Sequence, residues 1–232
     1  MEVYKAAVVG TSRMGAFIDN EVTGNPNVIV PYSHAAGYHA SPRTTLVACS
    51  DIRVSTMKQF GLKYNVLTSH QYTDYKEMIV TEQPDIVSVA TQPEQRSEII
   101  VFAANNGVKA IYAEKALAAS MDEAAAITEA IETNGVFFNM GTNRRWDPRF
   151  RKMRDIISNR QLGDLRSIIV YENGTLFNAA SHHFDVMYLL NGDSPASWVM
   201  ASIPEDETLI NGLDLTNDPL AEGIIQFSNN VT

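Results

Sequence analysis

Apolar positions along the first 140 residues fall into two alternating patterns. Short runs rich in β-branched residues cover Val3 to Val9, Thr45 to Ser50, Ile86 to Ala90, Ala110 to Ala113 and Val136 to Met140. Consecutive apolar positions over so short a span fit strands covered on both faces. Between these runs, near Val54 to Tyr64, Tyr75 to Glu82, Glu94 to Asn106 and Met121 to Asn134, apolar residues recur at helical spacing. Local signals agree with the periodicity. Gly107 and Gly135 stand where left-handed helix ends belong, and Ser120 with Glu123 forms a capping box ahead of Met121. Strand and helix alternating in this way predict a parallel sheet, because right-handed crossovers place the helices on both of its faces.

Past Asn143 the pattern changes. A basic helix is expected from Pro148 to Ser158, a strand from Leu165 to Tyr171, a helix from Ser181 to Leu190 with Ser181 as its cap, and strands near Ser197 to Ser202 and Glu222 to Phe227. The fold class is therefore α/β: a doubly wound parallel sheet over residues 1–142, then a second α/β domain over 143–232 built on an open, mainly antiparallel sheet. Ile224 to Thr232 read as a strand entering a hairpin without a return partner. A sheet of about three strands leaves edge groups unpaired. The expectation is that these residues are the N-terminal part of a longer polypeptide whose remaining strands complete the second sheet and a homo-oligomer interface.

Composition narrows the function classes. A hydrophobic content of 45% and a net charge of -9 describe a chain able to bury a core and without the basic stripe that nucleic acid requires. The single Cys49 lies in an apolar run and reads as a buried, inert thiol. Met1-Glu2-Val3-Tyr4 leads straight into the first strand, and no apolar run reaches membrane-spanning length, so a cytoplasmic protein without membrane or metal dependence is expected.

The chemistry begins at the end of the first strand, where Gly10-Thr11-Ser12-Arg13-Met14-Gly15 has the spacing of G-x-G-x-x-G with Ser12 at the middle glycine. A strand that turns on glycine into a helix aims backbone N–H groups and a helix N-terminus at one point, where a pyrophosphate sits. A Cβ at Ser12 crowds that approach, while its hydroxyl can donate to a phosphate oxygen. Asp51 closes the second strand. A carboxylate there accepts the adenosine ribose hydroxyls and repels a 2′-phosphate, favouring NAD over NADP; a helix-capping Asp51 is the alternative. Asp51 also stands farther from Gly15 than the roughly 20 residues usual for this motif, the excess lying around Thr23-Gly24-Asn25-Pro26-Asn27. Arg53 either stacks on the adenine or offsets the charge of Asp51. Lys115 follows the fifth strand, on the side of an open α/β sheet where ligands bind, and an ammonium there can stabilise charge on a reacting oxygen; a solvated surface lysine is the alternative. Asn143-Arg144-Arg145-Trp146 opens the second domain, with arginines able to meet an anion and an indole able to stack on a sugar, or all of them engaged in packing.

Taken in order, the Gly10 turn, Asp51, Ala90-Thr91-Gln92-Pro93, Ala113-Glu114-Lys115-Ala116-Leu117-Ala118 and Ser181-His182-His183-Phe184-Asp185 resemble the Gfo/Idh/MocA oxidoreductases, relatives of glucose-fructose oxidoreductase and inositol dehydrogenase. The resemblance spans essentially the whole chain, and the Glu-Lys motif is its most specific piece. The chain departs from the family pattern at Ser12, at Gln92-Pro93, at Ala116 where proline is usual and at Arg96 where histidine is common. The resemblance implies a Rossmann domain that holds NAD through Gly10, Thr11, Ser12, Arg13, Met14, Gly15, Asp51, Arg53, Thr91, Gln92, Glu114 and Lys115. It implies a catalytic Lys115, a proton-accepting His182 and a substrate-orienting Asn178 where cyclitol-oxidising members have aspartate. Arg144, Arg145, Trp146 and His183 would complete a site for a sugar, cyclitol or related polyol, His183 in a packing or supporting role. An NAD-using glycoside-cleaving enzyme and a non-catalytic dinucleotide-binding regulator are the other readings.

Overall fold

A computed structural model describes residues 2–203 and 218–232, which divide into two compact units, Met1–Gly141 and Thr142–Thr232. In the first, β1 (Tyr4–Val9), β2 (Thr44–Ser50), β3 (Gln71–Tyr72), β4 (Ile86–Val89), β5 (Ala110–Ala113) and β6 (Phe137–Met140) form one parallel sheet in the order β3-β2-β1-β4-β5-β6. The order reverses at β1/β4, and the crevice above the carboxyl ends of those strands is where open α/β sheets bind ligands.

Period-two alternation along the strands builds two cores. Ala7, Val9, Ala48, Val87, Val89 and Ile111 enter a cluster with Met78 and Ile79 of α4 (Tyr75–Glu82), Ile99 and Ile100 of α5 (Pro93–Asn105) and Ile127 of α6 (Met121–Asn134). Their neighbours Val8 and Cys49 join a second cluster with Ala35 of α2 (His34–Ala40) and Met57, Phe60 and Tyr64 of α3 (Val54–Tyr64). Burial pushes the Cys49 thiol up to about 12, with help from the Asp51 charge, which keeps it protonated at neutral pH.

Helix ends follow the chemistry of their sequences. Ser120 Oγ accepts the Glu123 amide at 3.2 Å while Glu123 Oε2 accepts the Ala119 amide at 2.8 Å, and Gly135 ends α6 at φ 63°. Three features lack a sequence signal. The first crossover is not one long helix but a π-helical turn, Arg13–Phe17, followed by the one-turn α1 (Asp19–Val22). The turn-rich stretch around Thr23 to Asn27 stays in turns, and α2, capped by Ser33, follows it. The two-residue β3 is too short to show alternation.

The second unit holds α7 (Pro148–Ser158), α8 (Ser181–Leu190) and an antiparallel pair, β7 (Ala196–Ser202) with β8 (Glu222–Phe227). Two expectations are corrected. Leu165 to Tyr171 forms no strand: among the described residues its backbone pairs only through Ile168 N to Thr232 O and Thr232 N to Arg166 O, and Ile169 and Tyr171 stay exposed. Ser181 does not cap α8. It lies inside the first turn, because a π-helical turn over Leu176–Ala180 runs directly into the helix and makes Ala180 the flanking residue. No described helix is long and apolar enough to cross a membrane.

Candidate active site

In the first unit, the carboxyl ends of β1, β2, β4 and β5 present most of the residues singled out above. Gly10 turns at φ +89°, and a Cβ there would lie 2.7 Å from the Ala90 carbonyl oxygen. At Gly15 a Cβ would fall 1.9 Å from Gly10 O. Both glycines are thus fixed by backbone contact, one by conformation as well. Ser12, half-buried, begins the π-helical turn that contains Arg13, Met14 and Gly15. The opening amides of such a turn have no preceding carbonyl to bond, which leaves a cradle suited to a phosphate. The Arg13 guanidinium is engaged with Glu21 of α1, its Nε 2.9 Å from both carboxylate oxygens.

Asp51 is buried against this turn. Its Oδ2 accepts the Thr11 amide at 2.8 Å and the Thr11 hydroxyl at 3.0 Å, and its Oδ1 accepts the Arg53 amide at 2.9 Å with Arg53 Nε at 3.5 Å. Burial pushes its pKa up, but the Arg53 and Thr11 hydrogen bonds and the Arg53 charge outweigh it, so Asp51 titrates below the usual carboxylate range. The carboxylate therefore ties the glycine turn to β2 and orders the entry to α3. The Arg53 guanidinium is the exposed part of this group and the part able to move aside.

The ends of β4 and β5 are tied by a residue whose role the sequence left unread. Arg96 of α5 is 2% exposed, and its Nη1 donates to Ala116 O while Nη2 donates to Thr91 O. One guanidinium thus holds both strand-end loops. Burial pulls its pKa down to about 10, leaving it charged at neutral pH. Thr91 is half-buried, and the exposed Gln92 flanks the start of α5. Glu114 is buried and Lys115 half-buried. Burial raises the Glu114 pKa, yet a His34 hydrogen bond, the His34 and Arg96 charges and the Lys115 amide bring it below the ordinary value. The Lys115–Ala116 peptide is cis.

In the second unit, Asn178 sits in the turn before α8. Asp218 anchors that turn, accepting the Thr175 hydroxyl at 2.5 Å and the Phe177 and Asn178 amides at 2.8 Å each. His182 stands in the first turn of α8, half-buried. His183 is held between Arg144, whose Nη1 is 3.2 Å from both ring nitrogens, and the Glu172 carboxylate at Nε2. Arg145 is committed to α8 and the turn after it, with Nε donating to Asp185 at 2.7 Å and Nη2 to Asp193 at 3.0 Å. Trp146 is exposed on one side, with the Arg151 guanidinium 5.2 Å from its ring centroid. Sequence reasoning missed His34, Ser88 and Asp218. Each acts through a contact distant in sequence, and none belongs to a motif of fixed spacing.

Residues 4–142 match the model of an oxidoreductase family with an NAD-binding Rossmann fold, GFO_IDH_MocA. The chain is 27% identical over 130 residues to the uncharacterized oxidoreductase YrbE of Bacillus subtilis, covering 56% of this chain and 37% of that protein. It is 26% identical over 185 residues to inositol 2-dehydrogenase of Salmonella paratyphi B, covering 72% and 53%. The chain thus spans about half or less of the length of these curated relatives. The fold resembles scyllo-inositol dehydrogenase of Lactobacillus casei, solved with bound NAD(H) and scyllo-inositol, at a TM-score of 0.73 and 15% identity over 99% of this chain and 68% of that one. With its glycine turn, strand-end carboxylate and Glu-Lys motif in a β3-β2-β1-β4-β5-β6 sheet, the chain belongs to the Gfo/Idh/MocA oxidoreductase family.

Proposed function

We propose that the chain belongs to an NAD-dependent oxidoreductase that moves hydride between a nicotinamide and a secondary alcohol or ketone of a sugar, cyclitol or related polyol. The observation that supports it best is the convergence, at the carboxyl edge of one parallel sheet, of the Gly10 turn, the ionised Asp51 and the tied Glu114-Lys115 loop. The dinucleotide fits this edge. Side chains at positions 10 and 15 would collide with the backbone of Ala90 and Gly10 and push the turn out of shape, and the carboxylate of Asp51 retains acceptor capacity at Oδ1 once Arg53 swings out. When bound, the nicotinamide supplies the hydride acceptor or donor.

Lys115 would hydrogen-bond the reacting oxygen and stabilise its negative charge as hydride moves. His182 would take the hydroxyl proton during oxidation and return it during reduction, a task suited to imidazole. Asn178, which cannot take a proton, would orient the polyol. Arg144 and Trp146 are assigned to substrate contact, whereas the committed ion pairs of Arg145 favour packing. NAD over NADP follows from Asp51, whose charge opposes a 2′-phosphate by about 1 kcal/mol at 4 Å in water, roughly five-fold in affinity.

The test is hydride transfer followed by stopped flow in the full-length protein. Lys115→Met should abolish turnover with NAD affinity nearly unchanged, and His182→Ala should lose roughly 10²-fold. Near-normal rates in either variant would remove that residue from its role. NADH accumulating in proportion to ketone separates a dehydrogenase from a glycoside-cleaving relative, in which oxidation is transient.

A further inference from the structure

The first unit contains a buried polar chain that the assigned chemistry does not use. His34, at the start of α2, is 6% exposed. Its Nδ1 lies 2.8 Å from the Ser88 hydroxyl of β4, its Nε2 lies 3.1 Å from Glu114 Oε1, and Tyr38 OH lies 2.8 Å from the same Ser88 hydroxyl. The His34 ring packs on Tyr112 of β5, with centroids 4.5 Å apart. Ser88 is wholly buried on the sheet face opposite Val87 and Val89.

The hydrogen positions follow from the acceptors. An ionised Glu114 can only accept, so Nε2 of His34 must donate to it. Nδ1 of His34 and the Ser88 hydroxyl share the next hydrogen bond, and the Tyr38 hydroxyl pairs with Ser88, so every member of the chain has a partner. Glu114 also accepts the backbone amide of Lys115. Its carboxylate lies beside Gly141, where a Cβ would come within 3.1 Å of Oε1. With glycine at 141 no side chain packs against the carboxylate there, so its donors are what fix its orientation.

We propose that His34 is a positioning residue for the reaction: by donating Nε2–H to Glu114 it fixes the carboxylate that holds the Lys115 amide, and so sets where the Lys115 ammonium meets the substrate oxygen. The proposal rests on the assignment of Lys115 above. A misplacement of about 1 Å at a reacting group is enough for a loss of up to roughly 10²-fold, so the effect falls on turnover rather than on cofactor binding.

The test compares His34→Phe, which keeps the ring stacked on Tyr112 but removes the donor, with His34→Gln, which restores an N–H donor near the position of Nε2. His34→Phe should lower kcat at least 10-fold while the NAD dissociation constant, measured by calorimetry, changes less than two-fold, and His34→Gln should recover most of the loss. Independently of activity, nitrogen NMR should show His34 protonated at Nε2, and the Lys115 amide resonance should shift in His34→Phe and return in His34→Gln. If His34→Phe does not fold, Ser88→Ala serves instead, with a smaller fall in kcat and the same shift of the Lys115 amide. Wild-type kcat in the variant that folds, an unmoved Lys115 amide or an unprotonated Nε2 would overturn the proposal. No turnover by the wild-type protein, or full turnover by Lys115→Met, would instead overturn the reading on which it rests; loss of turnover in Lys115→Met with wild-type kcat in His34→Phe overturns the proposal alone.

Discussion

Gly10 shows how little freedom single positions have at the ligand edge of the sheet. Its φ of +89° is unfavourable for any residue with a Cβ, and the Cβ itself would collide with Ala90 O at 2.7 Å. Gly10→Ala is therefore expected to destabilise the first unit by about 1–3 kcal/mol and to abolish NAD binding, through displacement of the β1 and β4 ends. Urea denaturation and cofactor titration check both effects, and an unchanged unfolding midpoint would contradict them. At this scale the sequence was legible where a residue's role is local. Gly10, Gly15 and Asp51 announce themselves by their place after a strand. His34, by contrast, opens a helix that the apolar pattern does not show, and Arg96 stands out only as a departure from the family pattern, with no role attached. Their roles depend on partners 80 and 20 positions away, Glu114 and Ala116, which no short-range pattern records.

Elements were legible in proportion to the regularity of what they bury. α6 has an apolar face, a capping box and a C-terminal glycine, three signals that agree. Replacing Ser120 by Ala should cost about 1 kcal/mol, because the Glu123 amide loses its acceptor, and replacing it by Asp should cost far less. Thermal unfolding of both variants checks this, and equal losses would show that the cap contributes nothing. The elements that went unread are those shaped by tertiary contact. The Leu176–Ala180 turn is held by Asp218, 40 positions beyond Asn178, so nothing local to the turn specifies it. Leu165 to Tyr171 has the composition of a strand but only limited pairing, and composition alone does not make a ladder.

For the molecule as a whole, the buried carboxylates contribute to the response to acid, beside the more exposed Asp19, Glu82, Asp85, Glu98 and Asp147, whose pKa values are also lowered. Asp51 and Glu114 both titrate below their ordinary values of 3.8 and 4.5 in the folded state, despite burial that works the other way. Lowered folded pKa values mean that each contributes stability fully present above its unfolded pKa and lost as pH falls through the folded one. Unfolding free energy should therefore be level near neutrality with respect to these groups and decline from about pH 4.5 downward. Asp51→Asn and Glu114→Gln should flatten that decline while lowering stability at pH 7. Urea titrations at several pH values check the slope, and a decline as steep in the double variant as in the parent would assign the acid sensitivity elsewhere.

The thiol of Cys49, near the carboxyl end of β2, sees neither solvent nor an ionising neighbour that would activate it, and its protonated form dominates far above neutrality. Because it is the only cysteine in these 232 residues, its alkylation can proceed only when the strand it belongs to comes away from its neighbours. The rate at which a thiol reagent modifies the native protein is thus a clock for opening of the sheet. Bound cofactor, which engages the carboxyl end of the same strand, should slow that clock in proportion to the affinity it brings.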